Sequence, residues 1–209
     1  MAFLTEDELR RRARRFAENK GVSINEALDS VARKHAGTYD VFLSQTIRDA
    51  EIVLGFFDYL TSLGLEVFCD WITAGELHRE DVTVANAAYL RDVMSRSSSM
   101  LFLDTEGADQ SQWMCWELGW FDANNGHVAV VPVLLESDQS YRGREFLGLY
   151  PYVKIDEDGD LVVVRPSVTN RHGMTLIEAP NSTSFTNWSD MRDGDFMRPR
   201  NLEHWGAGQ

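Results

Sequence analysis

The chain has 209 residues, enough for one ordinary core with extensions and too few for two large domains. Its 20 Lys and Arg against 33 Asp and Glu give a formal charge of −13 and a pI near 4.7, which would repel a phosphate backbone and excludes nucleic acid as a general partner. No run of about 18 apolar residues occurs, and MAFLTEDELRRRARRF lacks the apolar segment of a secretory signal, so a cytoplasmic protein without membrane attachment is expected.

In that compartment Cys69 and Cys115 are expected as reduced thiols, and the sequons at Asn181 and Asn187 carry no meaning. Residues 1–37 read as a helical N-terminal extension. Thr5 with Glu8 three residues on is a capping box that opens a helix to about Asn19, and Ser23 with Glu26 opens a second to about His35. Gly21 and Gly37 close them. Residues 1–36 hold eight Lys and Arg against six Asp and Glu, so this segment is mildly positive in an acidic chain. It is expected to cover the main domain or to mediate assembly.

From Tyr39 the texture changes. Short apolar strands alternate with amphipathic helices: YDVFL, AEIVLGFFDYLTSL, LEVFCD, DVTVANAAYLRDVM, SMLFLD, QWMCWELGWFDAN ending at Gly126, VAVVPVLLE and YVKI. Strands apolar on both faces and joined by helices predict an α/β fold with a parallel sheet covered on both sides, over residues 38–165. Asp158-Gly159, between YVKID and DLVVV, predicts a hairpin that appends an antiparallel edge strand. Residues 166–209 are rich in Asn, Ser, Asp, Arg and Pro and read as an irregular tail, packed on the domain or partly disordered, with Trp188 and Trp205 as anchors.

In an open parallel sheet, ligands bind beyond the carboxyl ends of the strands where strand order reverses. The segments to inspect are Ser44-Gln45-Thr46-Ile47-Arg48, Asp70 to Glu76, and Asp104 to Ser111. With Ser111 as N-cap, Glu117 lies in the second turn of the following helix, and Trp113, Glu117, Trp120 and Asn124 share a face. Taken alone, Glu117 is a helix acid in a polar gap, Ser44 is equally a turn residue, and Asp70 ends a strand. Trp113, Trp116 and Trp120 sit on a helix apolar nearly all round, and at least two of them are expected in the core. The five histidines show no ligand spacing, so no metal is expected.

The order of these pieces changes the weighing. YDVFLSQ before an acidic helix, EVFCD before a loop, and SQWMCWEL after a strand resemble a TIR (Toll/interleukin-1 receptor) domain over roughly Thr38 to Lys154. The W-x-x-x-E pattern of enzymatic TIR domains is matched by Trp113 to Glu117. The wider Ser-x-Trp-Cys-x-x-Glu-Leu form is matched at Ser111, Trp113, Glu117 and Leu118, with Met114 in place of the Cys.

The resemblance implies a flavodoxin-like five-stranded parallel sheet and cleavage of NAD, as substrate and not cofactor, at the nicotinamide–ribose bond. It assigns Glu117 as the catalytic carboxylate and Trp113 as a stacking platform for nicotinamide or adenine. It places Ser44, Gln45 and Thr46 at the ribose and phosphates. Asp70 and Trp71 fall in the loop that gates the site and meets a neighbouring TIR domain, and Trp71 is a substitute for the aromatic that usually follows Ser44. A small protein of this kind is similar to those of Thoeris antiphage systems, in which a cyclic ADP-ribose messenger reaches a separate effector.

Two other classes remain open. A non-catalytic TIR scaffold would act by self-association through Asp70 to Glu80, and a nucleoside deoxyribosyltransferase would use a Glu on a similar fold. A phosphoacceptor receiver with Asp104 and Lys154 lacks the acidic pair that magnesium needs, because Ser44-Gln45 stands there.

Overall fold

The structure, a computed structural model, describes residues 1–32, 37–46, 49–69, 83–105, 108, 111–136, 141, 143, 145–165 and 182–191. Both capping boxes form as the sequence predicts. Helix α1 (Glu6–Lys20) opens on Thr5, whose Oγ1 accepts from the Glu8 N–H at 3.4 Å while the Thr5 N–H donates to Glu8 Oε2 at 3.1 Å. It ends at Gly21 in the left-handed region, with φ 65°. Helix α2 (Ile24–Ala32) opens on the reciprocal Ser23–Glu26 pair.

Beyond the helices, the first residues also supply a strand that the sequence did not suggest. β1 (Leu4–Thr5) pairs in parallel with β5 (Val128–Leu134), placing Leu4 opposite Val133. Two residues are too short to show any hydrophobic period, so only the pairing partner defines this strand.

The main sheet is built from β2 (Tyr39–Ser44), β3 (Val67–Cys69), β4 (Ser97–Asp104), β5 and β6 (Tyr152–Ile155), all parallel in the order β3-β2-β4-β5-β6. This is the 2-1-3-4-5 order of the flavodoxin-like fold. The order reverses at β2 and β4, which lie side by side with Ser44 opposite Phe102.

β7 (Leu161–Val164) adds an antiparallel strand through the expected turn, in which Gly159 takes φ 88° and Asp156 Oδ1 accepts from the N–H groups of Asp158 and Asp160, but it is not the expected edge because a further strand pairs beyond it. The sheet then continues where the sequence reads as irregular. β8 (Ser182–Ser184) pairs antiparallel with β7, and the short helix α6 (Phe185–Ser189) buries Phe185 and Trp188. Trp188 is thus an anchor; Trp205 lies outside the described residues.

The alternation of side chains along each strand sorts two cores. Val41, Leu43, Leu101, Leu103, Ala129 and Val131 face α1, α2 and α3 (Ala50–Ser62). Phe42, Met100, Phe102, Val128 and Val130 face α4 (Val84–Ser95) and α5 (Gln112–Asn124).

Helix α1 joins the first core through Leu9 and Ala13, and its contact with α3 is so close that a Cβ on Gly55 would strike the Leu9 carbonyl. Arg14 and Arg10 tie the same two helices through Glu51, at 2.9 and 3.2 Å, and hold its carboxyl below the usual 4.5 against the cost of partial burial. Among the described residues, no helix is long and apolar enough to cross a membrane.

Candidate active site

The amino end of α5 is fixed by Ser111, whose Oγ accepts from the Met114 N–H at 3.3 Å. That cap sets the phase of the helix. Its buried stripe is Met114, Glu117, Leu118 and Phe121, the i, i+3, i+4, i+7 pattern of a core-facing helix. An acid therefore occupies a position where helical geometry calls for an apolar residue. Glu117 is 2% exposed.

On the strand side, the period of two carries Ser44 to the same face as Phe42, toward α5. There its Oγ donates to Glu117 Oε2 at 2.6 Å, a charge-assisted bond between residues 73 apart in sequence. Such a bond contributes about 1.5–3 kcal/mol, against an unpaired-burial penalty of several kcal/mol for a carboxylate. The acid is held in place by the fold at a cost that packing alone would not select.

Around this pair the chain concentrates polar groups. Among the described residues, six of the nine buried polar or charged ones are Ser44, Gln45, Thr46, Asp104, Thr105 and Glu117, all at or beyond the carboxyl ends of β2 and β4 or on α5. Among the described residues, Asp104 and Glu117 are the two buried carboxylates. Asp104 shares the α5 face with Met100 and Phe102 by strand alternation and accepts a hydrogen bond from the Tyr141 hydroxyl at 2.5 Å. Tyr141 reaches it from the chain beyond β5 and packs edge-on against Tyr152.

Trp113 stands one turn before Glu117. Its ring stacks on Trp116 at 4.8 Å with 24° between planes, and the Arg91 guanidinium lies 5.3 Å from the Trp116 centroid. One face of Trp113 is thus covered, and the ring as a whole is half-buried against the second core. Its indole N–H is buried and has no acceptor among the described residues. The expectation that at least two of the three α5 tryptophans lie in the core is corrected here: Trp113, Trp116 and Trp120 are all half-buried, packed at the margin of the second core. Glu117 and its apolar partners take the inner stripe, so the larger rings are displaced to the flanks.

No family model matches the chain. Over 116 residues it is 47% identical to a protein of Bacillus cereus (strain MSX-D12) named "Probable 3' cyclic ADP-D-ribose synthase ThsB'", a match that covers 55% of this chain and 60% of that relative. Over 83 residues it is 26% identical to a Cytobacillus dafuensis protein provisionally named cyclic ADP-D-ribose synthase TIR2, covering 39% of this chain and 22% of that one. The chain is similar to these two proteins over part of its length. It spans less than two thirds of the length of either relative.

The structure brings together Ser44 and Glu117, with Gln45 and Thr46 buried directly after Ser44 and Trp113 a turn away. Asp70 and Trp71, and the segment to Glu80, lie outside the described residues. Sequence reasoning did not place Tyr141 at the site; it marked Asp104 to Ser111, Thr105 included, as a segment to inspect and gave Asp104 an individual role only as a phosphoacceptor. The signal for Asp104 was its position two residues after Phe102 at the end of an apolar strand; nothing local marks Tyr141.

Proposed function

We propose that this chain forms a TIR domain that cleaves the nicotinamide–ribose bond of NAD, releasing nicotinamide and giving ADP-ribose or, by analogy with the relatives' names, a cyclic isomer of it. The observation that carries the reading is the single one at Glu117: a carboxylate buried on the core stripe of α5 and held by Ser44 where the strand order reverses.

The chemistry fits one acid without a partner acid at the leaving group. Nicotinamide in NAD is a cationic pyridinium, so as the C1″–N bond breaks the electron pair returns to nitrogen and a neutral base departs without protonation. What develops is positive charge on the ribosyl carbon and ring oxygen. A preorganised carboxylate in a dry site opposes that charge at no cost of solvent reorganisation. Ser44 fixes which way the carboxylate points. The half-buried ring of Trp113, one turn before Glu117, offers a platform for a planar base, nicotinamide before cleavage or adenine if the chain of the product folds back.

The likeness to proteins named as cyclic ADP-D-ribose synthases supports reading it as a cytoplasmic sensor of antiphage defence of the Thoeris kind. There the nucleotide product signals to a separate effector, and TIR–TIR self-association brings activity. A scaffold that acts by assembly alone has no use for a buried, hydroxyl-bonded carboxylate, and a deoxyribosyltransferase would turn over deoxynucleosides instead of NAD.

Nicotinamide release from NAD by wild type and Glu117→Gln, measured under crowding that favours assembly, decides it. The substitution keeps shape and removes charge, and release should fall by at least about 10²-fold. Equal turnover by both proteins, or none by wild type in any assembly state, would defeat the reading.

A further inference from the structure

The proposed reaction leaves one buried acid without a task. Asp104 is 5% exposed, lies on the α5 face of β4, and receives the Tyr141 hydroxyl. We propose that Asp104, oriented by Tyr141, is the general base that takes the proton of the ribose hydroxyl when the ribosyl cation closes into a cyclic product. The proposal rests on the NAD-cleaving reading above and names a second carboxylate with a separate role.

The proton balance requires such a group. When nicotinamide leaves with its electron pair, C1″ is cationic. Ring closure forms a new bond from an oxygen of the same molecule's other ribose to C1″, and that oxygen must shed its proton. Attacking water can lose its proton to the solvent it came from. A hydroxyl folded into a closed crevice has no such exit, and a positioned carboxylate supplies one while it orients the oxygen lone pair.

Glu117 is poorly suited to this second duty. Its negative charge opposes the cation until the new bond forms, and protonating it early would remove the stabilisation when it is needed. It is also committed to Ser44 at 2.6 Å.

The positions of the two acids suit a division of labour. Ser44 is opposite Phe102, and Asp104 is two residues further on the adjacent strand. The backbones of Asp104 and of Ser44, the residue that holds Glu117, are thus separated by roughly 7 Å along β4 and about 5 Å across the sheet, within the span of one folded dinucleotide. The two are the only buried carboxylates among the described residues, both lie on the α5 face, and each has a hydroxyl donor from a different element. Tyr141 acts as a positioning residue here, since it touches Asp104 and packs on Tyr152.

The test measures cyclic product and linear ADP-ribose per nicotinamide released, for the full chain and its variants. Wild type should give cyclic product, and Asp104→Asn should lower the cyclic-to-linear ratio by about 10²-fold, whatever its total turnover. Tyr141→Phe keeps the carboxylate but removes the hydroxyl that donates to it, and should lower the ratio by about tenfold; it decides the matter if Asp104→Asn fails to fold. A structural role alone would reduce both products in proportion. An unchanged ratio in a folded variant, or wild type that releases nicotinamide with linear ADP-ribose only, would overturn the role of Asp104 and leave the NAD-cleaving reading standing. No nicotinamide release from wild type would overturn both.

Discussion

Ser44 acts through a proton, not through bulk. Its Oγ donates to Glu117 Oε2, so the side chain that the TIR resemblance assigns to the ribose also fixes the acid. Ser44→Ala would leave a buried carboxylate short of one compensating donor. We expect nicotinamide release to drop by about 10- to 100-fold through loss of orientation, while folding stability falls by about 1–3 kcal/mol, read from the urea midpoint. A variant with full activity would show that Glu117 is oriented by other contacts.

The two residues were legible separately in the sequence, Glu117 from its spacing after Trp113 and Ser44 from the end of an apolar strand. Their meeting was not, because 73 residues separate them and only the order of strands brings them together. Tyr141 was less legible still, since it sits in no periodic segment and gains its meaning from a hydroxyl aimed at Asp104.

At the scale of elements, the helix starts and stops were written locally. Thr5, Ser23 and Ser111 cap helices as their side chains dictate, and Gly21 and Gly126 take positive φ after them. The facing of α5 was not, because a helix apolar nearly all round shows several candidate stripes. Packing against β2 and β4 selects the one that includes Glu117 and leaves its tryptophans at the flanks.

Helix α1 shows the same division. Its capping box is local, whereas its seat on α3 depends on a residue without a Cβ at position 55. Gly55→Ala would drive a methyl into the Leu9 carbonyl, and because that atom is backbone the helices must separate. We expect a loss of about 3 kcal/mol, visible as a lower denaturant midpoint with an unchanged slope. Stability equal to wild type would mean that α1 slides on α3 without penalty.

For the whole molecule, the N-terminal helices belong to the core of the first face. Leu4, Leu9, Ala13, Ala27, Leu28 and Val31 pack in one cluster with Ile52, Leu54 and Phe56 of α3, and β1 lies against β5. Deleting residues 1–36 would expose that apolar side of α3 and leave the outer end of β5 without its β1 neighbour. The truncated chain should lose cooperative thermal unfolding and aggregate, measured by calorimetry and light scattering. A soluble, cooperatively unfolding fragment would show that these helices only decorate the domain.

What the residues determined by themselves was local and periodic: helix caps, strand alternation, the β-α order that fixes a parallel sheet, and an acid spaced from a tryptophan. These follow from interactions within a few residues, where the chain has no choice of partner. The tertiary structure decided what depends on long-range pairing: which strand neighbours which, the stripe of α5 that turns inward, the short strands β1 and β8, and the hydroxyl donors that hold Glu117 and Asp104. A two- or three-residue strand has no period to read, and a hydrogen bond across the sheet leaves no mark in sequence. Burial of opposing apolar faces selects the one arrangement in which those distant groups meet.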